Sequence, residues 1–291
     1  MSETEQSTKK YRGNCHCGAF VFEVEVPEIK TVSDCNCSIC TKRGYLWLVP
    51  QKPLNVVKNE GKLVHYSFAS KNMDHQFCGH CGTTVMATSE MFPAKVGINA
   101  RTLQDLDIWS LELKTFEGNK FDPKYVAPEY SGPEPNPPGY EDGKTYYGSC
   151  HCGAVTTAVK VKGSLEDGTY GESIMECNCS HCQRIGYVWI YPAEPQVAIH
   201  GRENLSYYAF GRRVWRKAFC KTCGVNIGAG PDPNLTDDVI ATLPEDVQKF
   251  LARMGHKRPI NTRILNGFDV KCLKPIRGDG WNLVKPAYVN P

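Results

Sequence analysis

Three cysteines within six residues, Cys35-Asn36-Cys37-Ser38-Ile39-Cys40, constrain this chain more than any other stretch. Sulfurs so close together converge readily on one metal ion and serve poorly as core packing. The spacing returns 142 residues later as Cys177-Asn178-Cys179-Ser180-His181-Cys182. Each trio is bracketed by two pairs: Cys15-His16-Cys17 and Cys78-Gly79-His80-Cys81 around the first, Cys150-His151-Cys152 and Cys220-Lys221-Thr222-Cys223 around the second. Each half therefore carries seven cysteines, and Cys272 is the fifteenth. An odd count with CxC and CxxC spacings points to metal thiolates rather than a disulfide framework. The polar stretch Met1–Lys10 has no apolar signal core, so the expected location is cytoplasmic.

The register between the halves defines a tandem duplication. The offset is 135 at Cys15/Cys150 and 142 from the trios through Gly44/Gly186, Tyr45/Tyr187, Trp47/Trp189, Pro50/Pro192, Tyr66/Tyr208 and the CxxC pairs, which places a seven-residue insertion around Lys162–Tyr170. Ile98-Asn99-Ala100-Arg101 then matches Ile260-Asn261-Thr262-Arg263 at an offset of 162, so a second insertion lies between Cys223 and Ile260, with Leu235–Met254 partly helical in pattern. Phe20, Phe22, Val24 and Val26 alternate with Val21, Glu23 and Glu25 in the period-2 pattern of a half-buried strand, and no segment carries a long helical period. Further extended pieces are expected at Gly44–Pro50, Leu63–Ala69, Val96–Arg101 and Leu111–Phe116. The reading is a mainly β chain: a disordered tail over 1–10, a first domain over 11–117, a Pro-rich linker over 118–143 and a second domain over 144–291. Gly18 is expected at positive φ behind its CxC pair, and Gly13 and Gly148 are expected in turns.

Seven thiolates per half divide naturally into four and three, because a closed zinc site takes four ligands and a reactive one keeps a position open. On this division Cys15, Cys17, Cys78 and Cys81 hold one structural zinc, and Cys150, Cys152, Cys220 and Cys223 hold another. The trios Cys35, Cys37, Cys40 and Cys177, Cys179, Cys182 become the open centres. Spacing leaves a second arrangement standing, in which an Asp or a His fills the fourth position and the trio is structural; His16, His65, His75, His80, His151 and His181 are the available imidazoles. Cys272 has no matched partner and is expected to be a buried free thiol.

The order C-x-C-G, C-x-C-S-x-C and C-x-x-C-G, present twice, resembles the glutathione-dependent formaldehyde-activating family, whose domain is also called CENP-V/GFA. The resemblance covers Tyr11–Phe116 and Tyr146 to about Lys274, with all fourteen motif cysteines in place. It implies two tandem Mss4-like zinc-binding β domains and about four zinc ions per chain, the trios catalytic and the paired sites structural. It also implies carbon–sulfur lyase activity with glutathione as co-substrate, as in the formation of S-hydroxymethylglutathione.

Arg101 and Arg263, matched at the 162 offset, are candidates to hold an anionic substrate by a guanidinium fork. Tyr45, Trp47, Tyr187 and Trp189 follow the trios closely and are read either as pocket walls or as strand core. A net charge of +3, from 34 basic and 31 acidic residues, offers no basic footprint for nucleic acid, and no apolar run is long enough to span a membrane. The expected partner is a small molecule. The rival readings are a non-catalytic tandem zinc module binding protein or nucleic acid, and a zinc isomerase or hydrolase.

Overall fold

The structure, a computed structural model, describes residues 7–121 and 124–291. In the first repeat the strands are β1 Thr8–Asn14, β2 Phe20–Pro27, β3 Thr31–Cys35, β4 Trp47–Leu48, β5 Asn55–Asn59, β6 Leu63–Tyr66, β7 Asp74–Cys78, β8 Thr84–Thr88, β9 Val96–Asn99 and β10 Glu112–Phe116, with helix α1 Ser38–Arg43 between β3 and β4. They form a three-stranded sheet in the order β1-β2-β5 and a seven-stranded sheet in the order β10-β3-β4-β9-β8-β7-β6. All neighbours are antiparallel except β10 with β3. Phe20, Phe22, Val24 and Val26 are buried as their alternation requires, and Glu25 between them is exposed.

The second repeat reproduces this plan. Its strands are β11 Lys144–Ser149, β12 Thr156–Val161, β13 Met175–Cys177, β14 Trp189–Ile190, β15 Val197–His200, β16 Leu205–Ala209, β17 Trp215–Cys220, β18 Asn226–Pro231, β19 Ile260–Asn261 and β20 Ile276–Gly278, with α2 Ser180–Ile185 between β13 and β14. The sheets run β11-β12-β15 and, from the far edge, β20-β13-β14-β19-β18-β17-β16, again with one parallel pair, β13 with β20. Two mixed sheets of the same order, each built from one half of the chain, establish the mainly β tandem fold expected from the repeat.

The matched Asn99 and Asn261 explain why the INxR segments recur. Both are buried; Asn99 donates to the Thr84 carbonyl at 3.0 Å and accepts from the amides of Leu46 and Arg101, and Asn261 donates to the Asn226 carbonyl at 3.0 Å and accepts from those of Val188 and Arg263. Each amide side chain thus ties three backbone segments together, and its burial is compensated by these bonds. The insertion after Cys223 forms α3 Asp237–Ala241 and α4 Glu245–Met254. Val247 and Leu251, four apart, bury one face of α4, and Glu245 and Lys249 pair across its outside at 2.6 Å.

Several local expectations change. Residues 1–6 lie outside the described residues, but Thr8–Lys10, expected in a disordered tail, extend β1: they pair with Pro27, Val26 and Glu25, and Lys9 sits 5.0 Å over the Tyr11 ring. Gly13 and Gly148 are not turn residues. Both lie inside strands, where a Cβ on Gly13 would meet the Phe22 ring at 2.4 Å and one on Gly148 the Thr157 hydroxyl at 2.7 Å, so close packing requires the missing side chain. Cys272 is exposed rather than buried. In the Pro-rich stretch, Pro123 lies outside the described residues; Pro135 and Pro137 are buried, and the Pro128 carbonyl accepts from Asn266 at 3.1 Å.

Two compact units emerge, and they do not follow the repeat boundary. The first gathers the described residues up to Val126 with Ser180–Gly186 and Val289–Pro291; the second comprises Ala127–Cys179 and Tyr187–Tyr288. Helix α2, which sequence places in the second repeat, is therefore a member of the first unit.

Candidate metal centres

Each CxC pair sits in a tight turn leaving the first strand of its repeat. In the first, the Gly18 amide donates to the Cys15 carbonyl at 2.9 Å and Gly18 adopts φ 74°, as expected, which turns the chain so that the Phe20 amide reaches Cys15 Sγ at 3.3 Å. The CxxC pair closes β7 in the same way, with Gly82 at φ 71° donating to the Cys78 carbonyl at 2.8 Å. The two turns bring Cys17 Sγ to 3.6 Å from Cys15 Sγ and 3.6 Å from Cys78 Sγ, with Cys81 completing the group. In the second repeat Cys150, Cys152, Cys220 and Cys223 repeat the set, with sulfur separations of 3.6 and 3.7 Å. A disulfide would need about 2.05 Å, whereas four thiolates about 2.3 Å from a tetrahedral zinc stand about 3.8 Å apart. The sulfurs are spaced for a shared ion, and none of the fifteen cysteines is in a disulfide.

The trios are built differently. Cys35 ends β3, Cys37 immediately precedes α1 and Cys40 lies in its first turn, where the Thr41 amide donates to the Cys37 carbonyl at 3.0 Å. One strand end and one helical turn thus point three sulfurs at a common locus, and α1 stops at Gly44, φ 62°, which sends the chain back into β4. Within each trio the three Sγ atoms lie within 4.8 Å of one another, and among the described residues no fourth His, Cys, Asp or Glu joins either group. The imidazoles that could have closed them are placed elsewhere: His16 Nε2 is 2.9 Å from Ser180 Oγ, His181 Nε2 donates to the Cys81 carbonyl at 2.9 Å, and His65 pairs with Asp74 at 2.6 Å.

The thiols of the first trio differ in proton affinity. Contacts from Cys35 and Cys40 hold Cys37 down to about 3, the contact with Cys37 pushes Cys35 up to about 11, and burial pushes Cys40 well above the ordinary thiol range. A cation at the centre would replace the protons that Cys35 and Cys40 otherwise retain. The donor set fits zinc: three soft thiolates in each trio, with no fourth His, Cys, Asp or Glu among the described residues.

Two features of the site were not anticipated. The asparagine inside each trio clamps a distant backbone: Asn36 donates to the Glu117 carboxylate at 3.0 Å and accepts from the Asn119 amide at 3.0 Å, and Asn178 does the same with Asp279 at 3.2 Å and the Trp281 amide at 2.9 Å. Gly118 and Gly280 then lie against the sulfurs. Both pairs obey the 162 offset already visible at Asn99/Asn261; carrying that register on to the chain's later residues would have found them.

The aromatic neighbours are buried core in both repeats, and Trp47 also lines the first trio. Tyr45 stacks on Trp47 at 4.4 Å and Tyr187 on Trp189 at 4.0 Å. Trp47 Nε1 donates to Cys40 Sγ at 3.1 Å. In register, His75 opposes Tyr66 and Lys217 opposes Tyr208, so one ladder position carries a buried imidazole in the first repeat and an ammonium 4.5 Å over the Trp189 ring in the second. Arg101, the candidate anion holder, is buried with Nε donating to the Gly44 carbonyl at 2.8 Å, and Arg263 is half-buried behind Asn261.

Each half of this doubled β scaffold carries one four-cysteine and one three-cysteine group that could hold a metal ion. The model of the family described as glutathione-dependent formaldehyde-activating enzyme matches residues 10–119 and 145–243, and the chain belongs to that family. Among solved structures, a crystal structure of a Rhodobacter sphaeroides protein is similar at 26% identity over 45% of this chain and 98% of that one, with a TM-score of 0.33. No helix among the described residues is long and apolar enough to cross a membrane.

Proposed function

We propose that this protein is a zinc-dependent carbon–sulfur lyase-type enzyme that makes and breaks thiol adducts of a small electrophile, with glutathione as the thiol and formaldehyde as the electrophile. The observation that carries the reading is the three-sulfur group that no fourth His, Cys, Asp or Glu among the described residues joins, twice, beside a group of four sulfurs. Membership of an enzyme family described by this reaction supports it.

In the forward direction a sulfur–carbon bond forms between the thiol and the carbonyl carbon, and the thiol proton passes to the carbonyl oxygen; the reverse releases both reactants. Zinc, when bound, lowers the pKa of a thiol or water at its open position and so supplies the nucleophile at neutral pH. Cys35, Cys37 and Cys40 would hold it in the first centre, and Cys177, Cys179 and Cys182 in the second. Asn36 and Asn178 fix the backbone that covers each centre, and the buried Tyr45–Trp47 and Tyr187–Trp189 stacks exclude water from its inner side. Lys217, over the Trp189 ring on the strand paired with that of Cys177, suits a thiol bearing carboxylates.

The test is exchange between formaldehyde, glutathione and their adduct, followed by magnetisation-transfer NMR. The wild type is expected to accelerate exchange, and the double variant Cys37→Ala/Cys179→Ala to lose the acceleration while keeping its fold and about two of four zinc ions. Full exchange activity in that folded variant would overturn the assignment of the centres, and absence of acceleration in the zinc-replete wild type would overturn the substrates.

A further inference from the structure

Cys40 is the most enclosed ligand of the first centre, at 3% exposure, so water cannot solvate its sulfur there. What faces it is the Trp47 indole, whose Nε1 lies 3.1 Å from Sγ. A buried indole N–H requires an acceptor, and a thiolate is a better acceptor than a thiol because a hydrogen bond to an ionised group is roughly twice as strong.

The ring is held so that this N–H cannot easily turn away. Tyr45 stacks on it at an interplanar angle of 13°, and Phe92 leans on it at 6.1 Å. Trp47 is anchored at both sides of β4, opposite Ser33 of β3 and Asn99 of β9. On β9, Gly97 provides the space for the ring, since a Cβ there would come within 3.1 Å of two indole carbons.

We propose that Trp47 is a positioning residue that tunes the Cys35–Cys37–Cys40 centre: its indole N–H withdraws electron density from the Cys40 thiolate and fixes the direction of that ligand. Partners of this kind, one step removed from the metal, set ligand basicity and orientation. A less electron-rich sulfur donates less to the cation, which leaves the cation a stronger acceptor for whatever occupies the open position. The inference rests on a metal at this trio, and does not depend on which thiol or electrophile the enzyme uses.

The test uses the full chain loaded with cobalt(II), whose sulfur-to-metal charge-transfer absorption reports on the ligands directly. Two variants are compared with wild type: Trp47→Phe, and Trp47→3-benzothienylalanine, which keeps the bicyclic ring and its stack on Tyr45 but has no N–H. The expected result is a shift of the first centre's charge-transfer band to longer wavelength in both, at unchanged cobalt content, because removing the N–H raises the energy of the Cys40 lone pairs. A Cys35→Ala/Cys37→Ala/Cys40→Ala variant identifies which part of the spectrum belongs to this centre. A band unmoved in the benzothienylalanine variant, with cobalt bound, would overturn the role of Trp47 and leave the metal centre standing. A triple-alanine spectrum identical to wild type would overturn the metal centre, and the inference with it.

Discussion

A Cβ on Gly118 would stand 2.4 Å from Cys35 Sγ, and one on Gly280 would stand 2.4 Å from Cys177 Sγ. The two glycines do in their own repeats what no other residue type could, bringing a covering backbone into van der Waals contact with a sulfur of the trio. Because the obstructing atom at each position is the ligand itself, the strain of a methyl group falls on the centre. Gly118→Ala is expected to lower zinc content by about one ion per chain and Gly280→Ala by about one more, each at an overpacking cost of about 1–3 kcal/mol. Elemental analysis after gel filtration checks both, and full zinc retention in the two variants would show that the backbone over the sulfurs yields easily.

Asn36 and Asn178 hold the covering segments in place through one donated and one accepted hydrogen bond each. Only the accepted bond comes from a backbone amide, that of Asn119 or Trp281, so it is the one that amide exchange reports. Because these bonds are exposed, Asn36→Ala and Asn178→Ala are expected to remove protection from the Asn119 and Trp281 amides respectively by about two- to tenfold, at a cost of about 0.5–1.5 kcal/mol. Hydrogen exchange followed by mass spectrometry distinguishes this from general destabilisation, because the amides of β7 and β17 should remain protected.

How much of this was legible in the residues depends on the length of the signal. The fourteen motif cysteines could be sorted into four centres because each set is written as tight local pairs or trios, and the CxC and CxxC turns need only a following glycine to close. Phe20–Val26 announced its strand for a similar reason, since alternation is local. Gly118 was read into the spacer because nothing near it in sequence refers to Cys35; the parallel pairing of β10 with β3 brings them together, and parallel pairing leaves no turn signature. Thr8–Lys10 read as tail because polar edge strands look like loops. Helix α2 joins the first unit through His181, Arg184 and Ser180, of which only His181 differs in kind from its first-repeat counterpart, Ile39.

His16 supplies a pH dependence. It is buried against α2, 2.9 Å from Ser180 Oγ and in edge contact with His181 at 5.0 Å; burial, reinforced by His181 and the Arg184 guanidinium, holds it down to about 2. The unfolded chain takes up this proton near pH 6.5 while the folded chain refuses it, so the stabilisation from neutral His16 is complete above about pH 6.5 and is lost progressively as pH falls from there towards 2. His16→Gln keeps a group able to bond Ser180 but cannot take up a proton. Between pH 7.5 and 5 the wild type is expected to lose about 1–2 kcal/mol more than the variant. Urea midpoints of the zinc-loaded proteins measure the difference, and acid loss of zinc, common to both, cancels; parallel curves would mean that His16 accepts its proton without disturbing α2.

Chelation should separate the centres by their coordination. A ligand such as EDTA displaces a metal most readily when it can attach before the protein lets go, which requires a free position on the ion. The groups Cys15, Cys17, Cys78, Cys81 and Cys150, Cys152, Cys220, Cys223 offer none once four thiolates are bound, and Cys15, Cys78 and Cys81 are almost wholly enclosed. No fourth His, Cys, Asp or Glu among the described residues joins either trio, so a metal held there would keep that position open. Zinc removal is therefore expected in two phases, about two ions per chain released early with the fold intact and about two released only as the sheets unfold. Release monitored by a chromogenic zinc indicator, with circular dichroism recorded on the same sample, checks the coupling. A single phase in which all the zinc leaves together with the secondary structure would place the trios among the structural sites and remove the basis for a reactive centre.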